Sequence, residues 1–440
     1  MVRNRSGTGE GQLSKSSDIH ATPVARPPAG AWLAVGTITF ITIVSFIDRQ
    51  AFIILAPAMK RDLGLLDTQL GILMGAAFSF TYALSAFPIA RWADRGNRRN
   101  ILVICLMVWS AMTMLTSLAQ QFWHLLVTRM GVAAAEGGGP PVSQSMICDF
   151  MPLRYRAPAF SVFGLGSIIG ASIGAFAAGM LAETIGWRMT FLVLGAPGLA
   201  VGLVMRLALR EPARGQFDII DETSDVAPFL VQLKTLWART TFRRSMYYMF
   251  LTQVIFVGMA AWWPSVFERV HGLSLSMVGI YTILALIGPA LGFVAGAAVA
   301  HRLADSGVRA PILISAVGAI FLLPVLVGTV LSTSSLVAVA LLSVGGFMAT
   351  FPNGAVMATY QSVLDPRARA TGAAIMGLFA ALGGGVGPVV IGVISDTFGQ
   401  MGSGPALRVA MLVPAAATPL LAILLFGIAR SLARDLEPKS

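Results

Sequence analysis

The sequence predicts an all-α membrane protein with twelve transmembrane helices arranged as two pseudo-symmetric six-helix bundles. Three observations support this class. The 440 residues are 56% hydrophobic and only 12% charged, with a mean hydropathy of +0.77, whereas soluble domains carry about 25% charged residues. Apolar stretches long enough for a membrane-spanning helix, which needs roughly 20 residues, alternate with short polar gaps. The basic residues fall mainly in every second gap, as they do in multi-pass proteins.

The apolar stretches fix the number of spans and their orientation. Alternate gaps are rich in arginine, for example Arg95, Arg98 and Arg99, and such gaps lie on the cytoplasmic side. We therefore expect both termini in the cytoplasm and, from the short tails and the Ala-, Gly- and Arg-rich composition, a bacterial inner membrane. The net charge of +11 arises in these gaps, so nucleic acid is not an expected partner. The predicted spans are 31–58, 68–91, 99–119, 122–148, 157–182, 188–208, 245–268, 275–302, 311–332, 334–360, 369–395 and 407–430.

One long polar segment divides the chain into two bundles. Its second part, from Pro228 to Arg244, has the pattern of a basic amphipathic helix at the membrane interface. The N-terminal residues lack an apolar core and are predicted to be disordered. The expected organisation is a cytoplasmic tail at 1–29, a first bundle at 30–208, a cytoplasmic linker with the amphipathic helix at 209–243, a second bundle at 244–431 and a short cytoplasmic tail at 432–440.

The two bundles are related by an internal repeat. Gly186 matches Gly399 at a spacing of 213 positions, and the acids Glu183 and Asp396 match at the same spacing. Two parallel halves are typical of secondary transporters, in which the substrate site lies between the halves. The alternative is a chance alignment of glycine-rich helices.

The first span contains an acid and a base side by side, Asp48 and Arg49. A charge in the middle of the membrane costs roughly 2.5–3.5 kcal/mol, and such residues usually face the protein interior and mark an ion or substrate path. Neighbouring residues point about 100° apart on a helix, so each of the two needs a partner on another helix. The alternative is a structural ion pair that locks two helices together.

The fourth span contributes Arg129 and Glu136, which are two helical turns apart and therefore share one face. Helix rise places Asp48 between them in depth, so we expect these residues and Arg49 to form one cluster. A static salt-bridge network is the alternative.

The helix is expected to break after Glu136, at the run Gly137–Pro141, and again in the tenth span at Phe351–Gly354. Broken helices in a membrane line a cavity. The second bundle has no charge at mid-membrane depth, and Phe256 occupies the place of Asp48. The predicted second wall is therefore apolar and aromatic, with Trp262 and Trp263 either in the wall or at the membrane interface. The wall residues that we expect are Phe256, Phe351 and Asn353.

The loop from Ala90 to Arg99 resembles the signature loop of the major facilitator superfamily, with Ala90 and Asn97 in place of two glycines. The resemblance implies a latch that holds the cytoplasmic side closed. Its chemistry would be an acid at a neighbouring helix N-terminus and an Arg98–Asp149 pair. A basic loop that only sets topology is the other interpretation. The expected latch residues are Asp94, Arg95, Arg98, Arg99 and Asp149.

Within that superfamily, the chain resembles the Spinster family, because it combines Asp48-Arg49, the Asp94 loop, and Arg129 with Glu136 followed by glycines. Animal members are associated with export of sphingosine-1-phosphate and lysophospholipids. The resemblance implies that the cluster of Asp48, Arg49, Arg129 and Glu136 serves substrate binding and proton coupling.

We therefore expect a proton-coupled secondary transporter that moves an amphiphilic, anionic, lipid-like substrate, a sphingolipid or lysophospholipid, by alternating access. A multidrug or organic-anion transporter of the same fold is the alternative, followed by a membrane-embedded lipid enzyme and a receptor. The sequence contains no phosphate-binding loop, nucleophile elbow or metal-ligand spacing, so we expect no enzyme, no cofactor and no metal. The expected partners are the substrate, protons and the bilayer, around a monomer.

Overall fold

A computed structural model describes residues 27–217, 229–302, 309–362, 364 and 369–436. Most of the predicted N-terminal tail, part of the linker (218–228) and residues 437–440 lie outside the described residues. Within the described ranges the regular structure is entirely helical. The first half contains α1 Ala31–Leu63, α2 Asp67–Gly71, a π-helical turn at Ile72–Ala76, α3 Ala77–Arg95, α4 Arg98–Thr116, α5 Phe122–Glu136, α6 Gly139–Phe150 and α7 Leu153–Ala208.

The second half follows a short helix in the linker. The apolar side of that helix packs on the second bundle, with the Trp237 ring 5.7 Å from the ring of Phe379 and 6.1 Å from that of Tyr247. The helices are α8 Phe229–Ala238, α9 Thr240–Arg269, α10 Leu275–Arg302, α11 Arg309–Leu331, α12 Ser335–Thr350, α13 Asn353–Ser362, α14 Arg369–Thr397, α15 Ser403–Ala416 and α16 Pro419–Leu436.

Twelve spans follow from these helices. Ten continuous helical stretches of the described chain are long and apolar enough to cross a membrane. One of them, α7, contains two spans, because Gly186 has a φ of 76° and interrupts the helix. The remaining span is the fourth along the chain. It is divided into α5 and α6 at the glycine run where the sequence predicted a break. A φ in this left-handed region favours glycine, which explains the residue at the α7 break.

The two halves meet closely at one end of the molecule. We call the end with the α3–α4 loop the basic end and the opposite one the distal end. Towards the distal end, Gly71 and Gly75 of the second span face the backbone of α14. A Cβ atom at Gly71 would lie 2.5 Å from the Pro388 carbonyl oxygen, and one at Gly75 would lie 2.5 Å from that of Gly385. Only glycine permits this approach of the two halves.

The second span departs from a regular α-helix at the π turn between α2 and α3, which the sequence did not predict. Such turns are often found at functional sites, because they disturb the regular hydrogen-bond ladder and leave carbonyl groups available. Gly75 of this turn is itself part of the close contact with α14, and the carbonyl of Leu73 in the same turn faces Arg129 in the first half.

Candidate functional site

Three of the four predicted charged residues lie together. Arg49 contacts Glu136 directly, and Arg49 and Arg129 contact the same aromatic ring, that of Phe78. Arg49 Nε donates to Glu136 Oε2 at 2.6 Å and joins α1 to the end of α5. The Glu136 side chain is 1% exposed and that of Arg49 is 23% exposed. The Arg49 guanidinium also lies 4.7–5.0 Å from the ring centroids of Phe46, Phe78 and Tyr82.

The second acid, Asp48, has a partner on α4. Thr113 donates its hydroxyl to Asp48 Oδ2 at 3.2 Å, and Asp48 is 2% exposed. Asp48 Oδ1 and Glu136 Oε1 have no hydrogen-bond partner in the described part of the chain. Leaving a buried polar group unpaired costs about 1–3 kcal/mol, and more for a charged one. The cluster therefore contains two acidic oxygens at which a proton would relieve an unfavourable state.

Arg129 is held by aromatic rings and a backbone carbonyl. It is 4% exposed, and its guanidinium lies 4.3 Å from the ring centroids of both Phe52 and Phe78. Its Nε donates to the Leu73 carbonyl at 3.3 Å, within the π turn. Among the described residues Arg129 forms no ion pair, and it is not a lining residue of either of the two cavities beside the cluster. Desolvated cation–π contacts of this kind contribute about 2 kcal/mol.

An apolar cavity of about 230 Å³ begins beside the cluster. Gln50, the neighbour of Arg49, lines its near side, and Phe256 of α9 lines its far side. Phe351 and Asn353, which the sequence predicted in this wall, are not among its lining residues. Phe351 instead packs on Gly296 of α10. The break between α12 and α13 lies at the predicted position, but the tenth span contributes to the cavity the residues before it, Leu342, Gly346, Ala349 and Thr350.

The two adjacent tryptophans of α9 are not interface anchors. Trp262 is 0% exposed and donates its indole N–H to the Pro388 carbonyl at 3.0 Å. Trp263 is 5% exposed and lines the apolar cavity. Of the two placements that the sequence left open, the one at the membrane interface is therefore wrong.

A second, polar cavity of about 240 Å³ extends from Glu136 towards the basic end. Arg49 and Glu136 lie at its inner end, and hydroxyl groups of α1, α6 and α7 line it, contributed by Ser45, Ser143 and Ser167. The charge cluster therefore borders two cavities, one apolar and one that contains the ion pair and several hydroxyl groups.

The predicted latch is partly assembled. Arg98 Nη1 donates to Asp149 Oδ2 at 2.5 Å, and Arg98 Nε donates to Glu211 Oε1 at 2.9 Å. Glu211 also accepts from the Arg99 backbone N–H at 2.8 Å, so it caps the start of α4. The sequence did not predict Glu211. It follows α7 in a polar segment, and no spacing connects it with the loop.

Asp94 and Arg95 are exposed and, in the described part of the chain, form no ion pair. Asp94 was expected at a helix N-terminus. At the start of the following helix, α4, other groups accept the backbone hydrogen bonds. Asn97 accepts from the Asn100 N–H at 2.9 Å, and Glu211 accepts from the Arg99 N–H. Of the five predicted latch residues, the structure therefore brings Arg98 and Asp149 together and leaves Asp94 and Arg95 without an ion pair within the described ranges.

The distal end contains a buried ion network that the sequence did not predict. Asp67, 3% exposed, accepts from Arg269 Nη1 at 2.9 Å through each of its carboxylate oxygens. Lys60 and Ser395 donate to the same carboxylate, Ser395 at 2.7 Å. Because Lys60 and Asp67 belong to the first half and the others to the second, this carboxylate joins the halves.

The repeat-related acids complete the contact. Asp396 of α14 accepts from the backbone N–H groups of Asp67 at 3.0 Å and Thr68 at 2.7 Å, at the start of α2. Glu183 of α7 accepts from the Ser276 N–H at 2.9 Å, near the start of α10. Each acid thus caps a helix of the opposite half, where a negative charge is favourable.

The comparisons with known proteins agree with this architecture. Residues 38–388 match the model of the Major Facilitator Superfamily. An MFS-type efflux pump of Mycolicibacterium smegmatis is 28% identical over 91% of this chain and 93% of its own length. A hexuronate transporter of Bacillus subtilis is 26% identical over 81% of this chain and 86% of its own.

A solved structure described as a bacterial homologue of the human lysosomal transporter Spinster, inward-facing and unoccupied, superimposes with a TM-score of 0.86 at 26% identity. It covers 94% of this chain and 100% of its own. The predicted fold class and the predicted family are therefore confirmed: the chain belongs to the Major Facilitator Superfamily of membrane transporters, and within it to the Spinster-like members.

Proposed function

We propose that this protein is a proton-coupled secondary transporter of an amphiphilic, anionic, lipid-like molecule, a sphingolipid or lysophospholipid. The observation that supports this most is the junction at Arg49 and Gln50, where a buried charge cluster adjoins an apolar cavity. An amphiphile needs a charged environment for its headgroup and an apolar environment for its chain, within a few ångströms of each other.

Proton coupling would act through the Arg49–Glu136 pair. Glu136 reaches the polar cavity, and one of its oxygens is unpartnered among the described residues. When Glu136 takes up a proton, its attraction for Arg49 weakens and the guanidinium becomes available to an anionic headgroup. When the proton leaves, the carboxylate and the headgroup compete for the same cation. Binding of the proton and binding of the substrate therefore favour each other.

Substrate binding would use Arg49, with Arg129 beside it on the same Phe78 ring, for the headgroup and the apolar cavity for the chain. Arg129 has no acidic partner in the described structure, and rings on two sides hold it in place. Phe256 offers the cavity only an apolar surface. The headgroup and the chain are thus recognised by different halves of the protein.

We also propose that the basic end faces the cytoplasm of a bacterium, with both termini there, and that the distal end faces outwards. The positive-inside rule supports this orientation. The halves are joined at the distal end, so the structure would correspond to an inward-facing state, the state described for the similar Spinster homologue. We propose a monomer, because each half already contacts its repeat-related partner within one chain.

A lysolipid series with one headgroup and increasing chain length tests the substrate assignment. Arg129→Ala should lose anionic lysolipids of every length, because it removes one of the two cations of the headgroup site. Phe256→Ala should lose affinity only as the chain lengthens, because it removes apolar contact worth about 25 cal/mol per Å². Binding would be measured on purified protein in neutral detergent, with Phe321→Ala, an exposed aromatic of α11, as control. Equal binding of anionic lysolipids by Arg129→Ala and the unmodified protein would contradict the assignment.

The alternative is a multidrug or organic-anion transporter, and the names of the two sequence relatives favour it. A small organic anion without a chain would fit the polar cavity and would not need the apolar one. In that case Phe256→Ala leaves transport unchanged, while hexuronates or drugs compete with the lysolipid series. The same set of proteins therefore separates the two proposals.

The latch can be tested at Asp94, which is exposed and forms no ion pair within the described ranges. We propose that Asp94 gains its partners only when the basic end closes. Asp94→Asn should then shift the population towards the state that is open at the basic end, without changing thermal stability. Maleimide labelling of a cysteine placed at Ser167, in the polar cavity, should become faster. Arg91→Gln, an exposed change one turn earlier, serves as control, and equal labelling rates in both variants would leave the loop with a topological role only.

A further inference from the structure

A third cavity lies at the distal end, where the two halves meet. Its volume is about 440 Å³, and its charged lining comes from both halves: Lys60 and Arg61 near the end of α1, and Glu268 and Arg269 at the end of α9. The transport mechanism proposed above does not use it, because Arg129, Glu136 and the apolar cavity lie deeper in the molecule. The excess of positive charge in this cavity and the unpartnered donor group of Arg269 therefore need a separate explanation.

The positive charges of this distal cavity exceed the negative ones. Arg61 pairs with Glu268, whereas Lys60 and Arg269 both pair with the single carboxylate of Asp67. Three cations therefore share two acids among the described residues. The next acid along, Asp396, is engaged by backbone N–H groups at the start of α2, as described above.

One of the cations also has a donor without an acceptor. The Arg269 side chain is only 7% exposed, and its Nη1 contacts both oxygens of Asp67. Its Nη2 is buried and has no hydrogen-bond partner within the described chain. A buried guanidinium N–H that lacks an acceptor is unfavourable, and an anion that accepts its hydrogen bond would remove that cost.

The geometry of the backbone favours the same kind of ligand. Ser403 lines the distal cavity and is the first residue of α15, a helix of 14 residues. The free N–H groups and the dipole at such a helix start favour anions. The cavity thus combines cations from two halves, a helix N-terminus and an unpartnered buried donor.

We propose that the distal cavity is a binding site for a phosphate-like oxyanion, either a free anion or the phosphate of a lipid headgroup. Because Lys60 and Arg61 belong to one half and Arg269 to the other, a bound oxyanion bridges the halves. It binds more tightly when the distal end is closed than when it is open, so it stabilises the closed distal end by its differential affinity.

Inorganic phosphate is the first probe. The full-length protein in neutral detergent is titrated with sodium phosphate at fixed pH, against sodium chloride at equal ionic strength, while the thermal unfolding midpoint is followed. Phosphate should raise the midpoint of the unmodified protein. Arg61→Gln should weaken the apparent affinity about tenfold or more, since it removes one charge-assisted contact at a side chain that is 59% exposed.

Arg269→Gln should abolish the phosphate effect, and Arg188→Gln should retain it. Arg188 is an arginine of the same end that pairs with Asp62 outside the cavity, and so it is a matched control. No midpoint shift in the unmodified protein, or equal shifts in Arg61→Gln, Arg269→Gln and Arg188→Gln, would overturn the proposal. Nanodiscs identify the source of the anion: if phosphatidic acid, but not phosphatidylcholine, removes the response to free phosphate, the site takes a headgroup. If neither does, it takes the soluble anion.

Discussion

Replacing Glu136 by glutamine should abolish proton-driven transport while leaving a folded protein in the membrane. Glutamine has nearly the same shape, so the buried position remains filled, but it cannot exchange a proton with the polar cavity. Arg49 then keeps its contacts with the rings of Phe46, Phe78 and Tyr82 and remains 23% exposed, so the unpaired cation is tolerated. The expected change is the loss of uptake driven by a pH gradient in proteoliposomes, with exchange of substrate without a gradient retained.

Asp62→Asn provides the control for this experiment, because Asp62 is a half-exposed acid of the same helix as Arg49 and pairs with Arg188. An exposed pair contributes about 0–1 kcal/mol, so this variant should transport normally. Uptake that keeps its pH dependence in Glu136→Gln would show that the coupling proton is carried elsewhere, and Asp48, whose Oδ1 also lacks a partner in the described structure, would be the next candidate.

Replacing Asp67 by asparagine should open the distal end. The side chain stays almost isosteric, but the neutral amide no longer balances Arg269 and Lys60 in a buried place. Breaking one partner of a buried pair costs roughly 3–5 kcal/mol. If that cost falls only on the closed state, the ratio of closed to open molecules decreases by roughly 10²- to 4 × 10³-fold.

Spin labels at Leu118 and Met401, two exposed positions of opposite halves near the distal end, would measure the change by pulsed electron resonance after replacement of Cys105 and Cys148. We expect a longer inter-label distance to appear in Asp67→Asn and to be absent in Asp62→Asn, which breaks an ion pair within one half. An unaltered distance distribution in Asp67→Asn would mean that the glycine contacts with α14 close this end without the ion network.

The fold was predictable because span length, glycine breaks and arginine placement are local properties of the sequence. The charges within the spans were predictable as well, since an acid or base in an apolar stretch stands out. Asp67 and Glu211 were not, because they lie at span ends, where acids are common, and only tertiary contact distinguishes them. The π turn at Ile72–Ala76 contains no proline, and its contacts with α14 and Arg129 are tertiary, so no local pattern marks it.

Phe351 and Asn353 show a different limit. The sequence located the break in the tenth span, but a shift of one or two residues turns a side chain by about 100–200° around the helix, and no local pattern fixes that register. The cavity wall therefore came from the residues just before the break rather than from the break itself. The existence of each helix could be predicted from the sequence. Which side of the helix a given residue occupies depends on the packing of the neighbouring helices and could not be predicted.

The reciprocal caps at Glu183 and Asp396 have a consequence for the history of the chain. If two identical six-helix halves once met about a twofold axis, one acid and one helix start would have supplied both contacts, as in any isologous dimer. In such a dimer the two contacts would be identical. In this chain they differ, because the second half has Leu275 at the position that corresponds to Asp67. Two halves of one chain need not be identical, and here a single carboxylate on one side of the axis pairs with Arg269 and Lys60. The result is an asymmetric ion network within a pseudo-symmetric pair of helix caps.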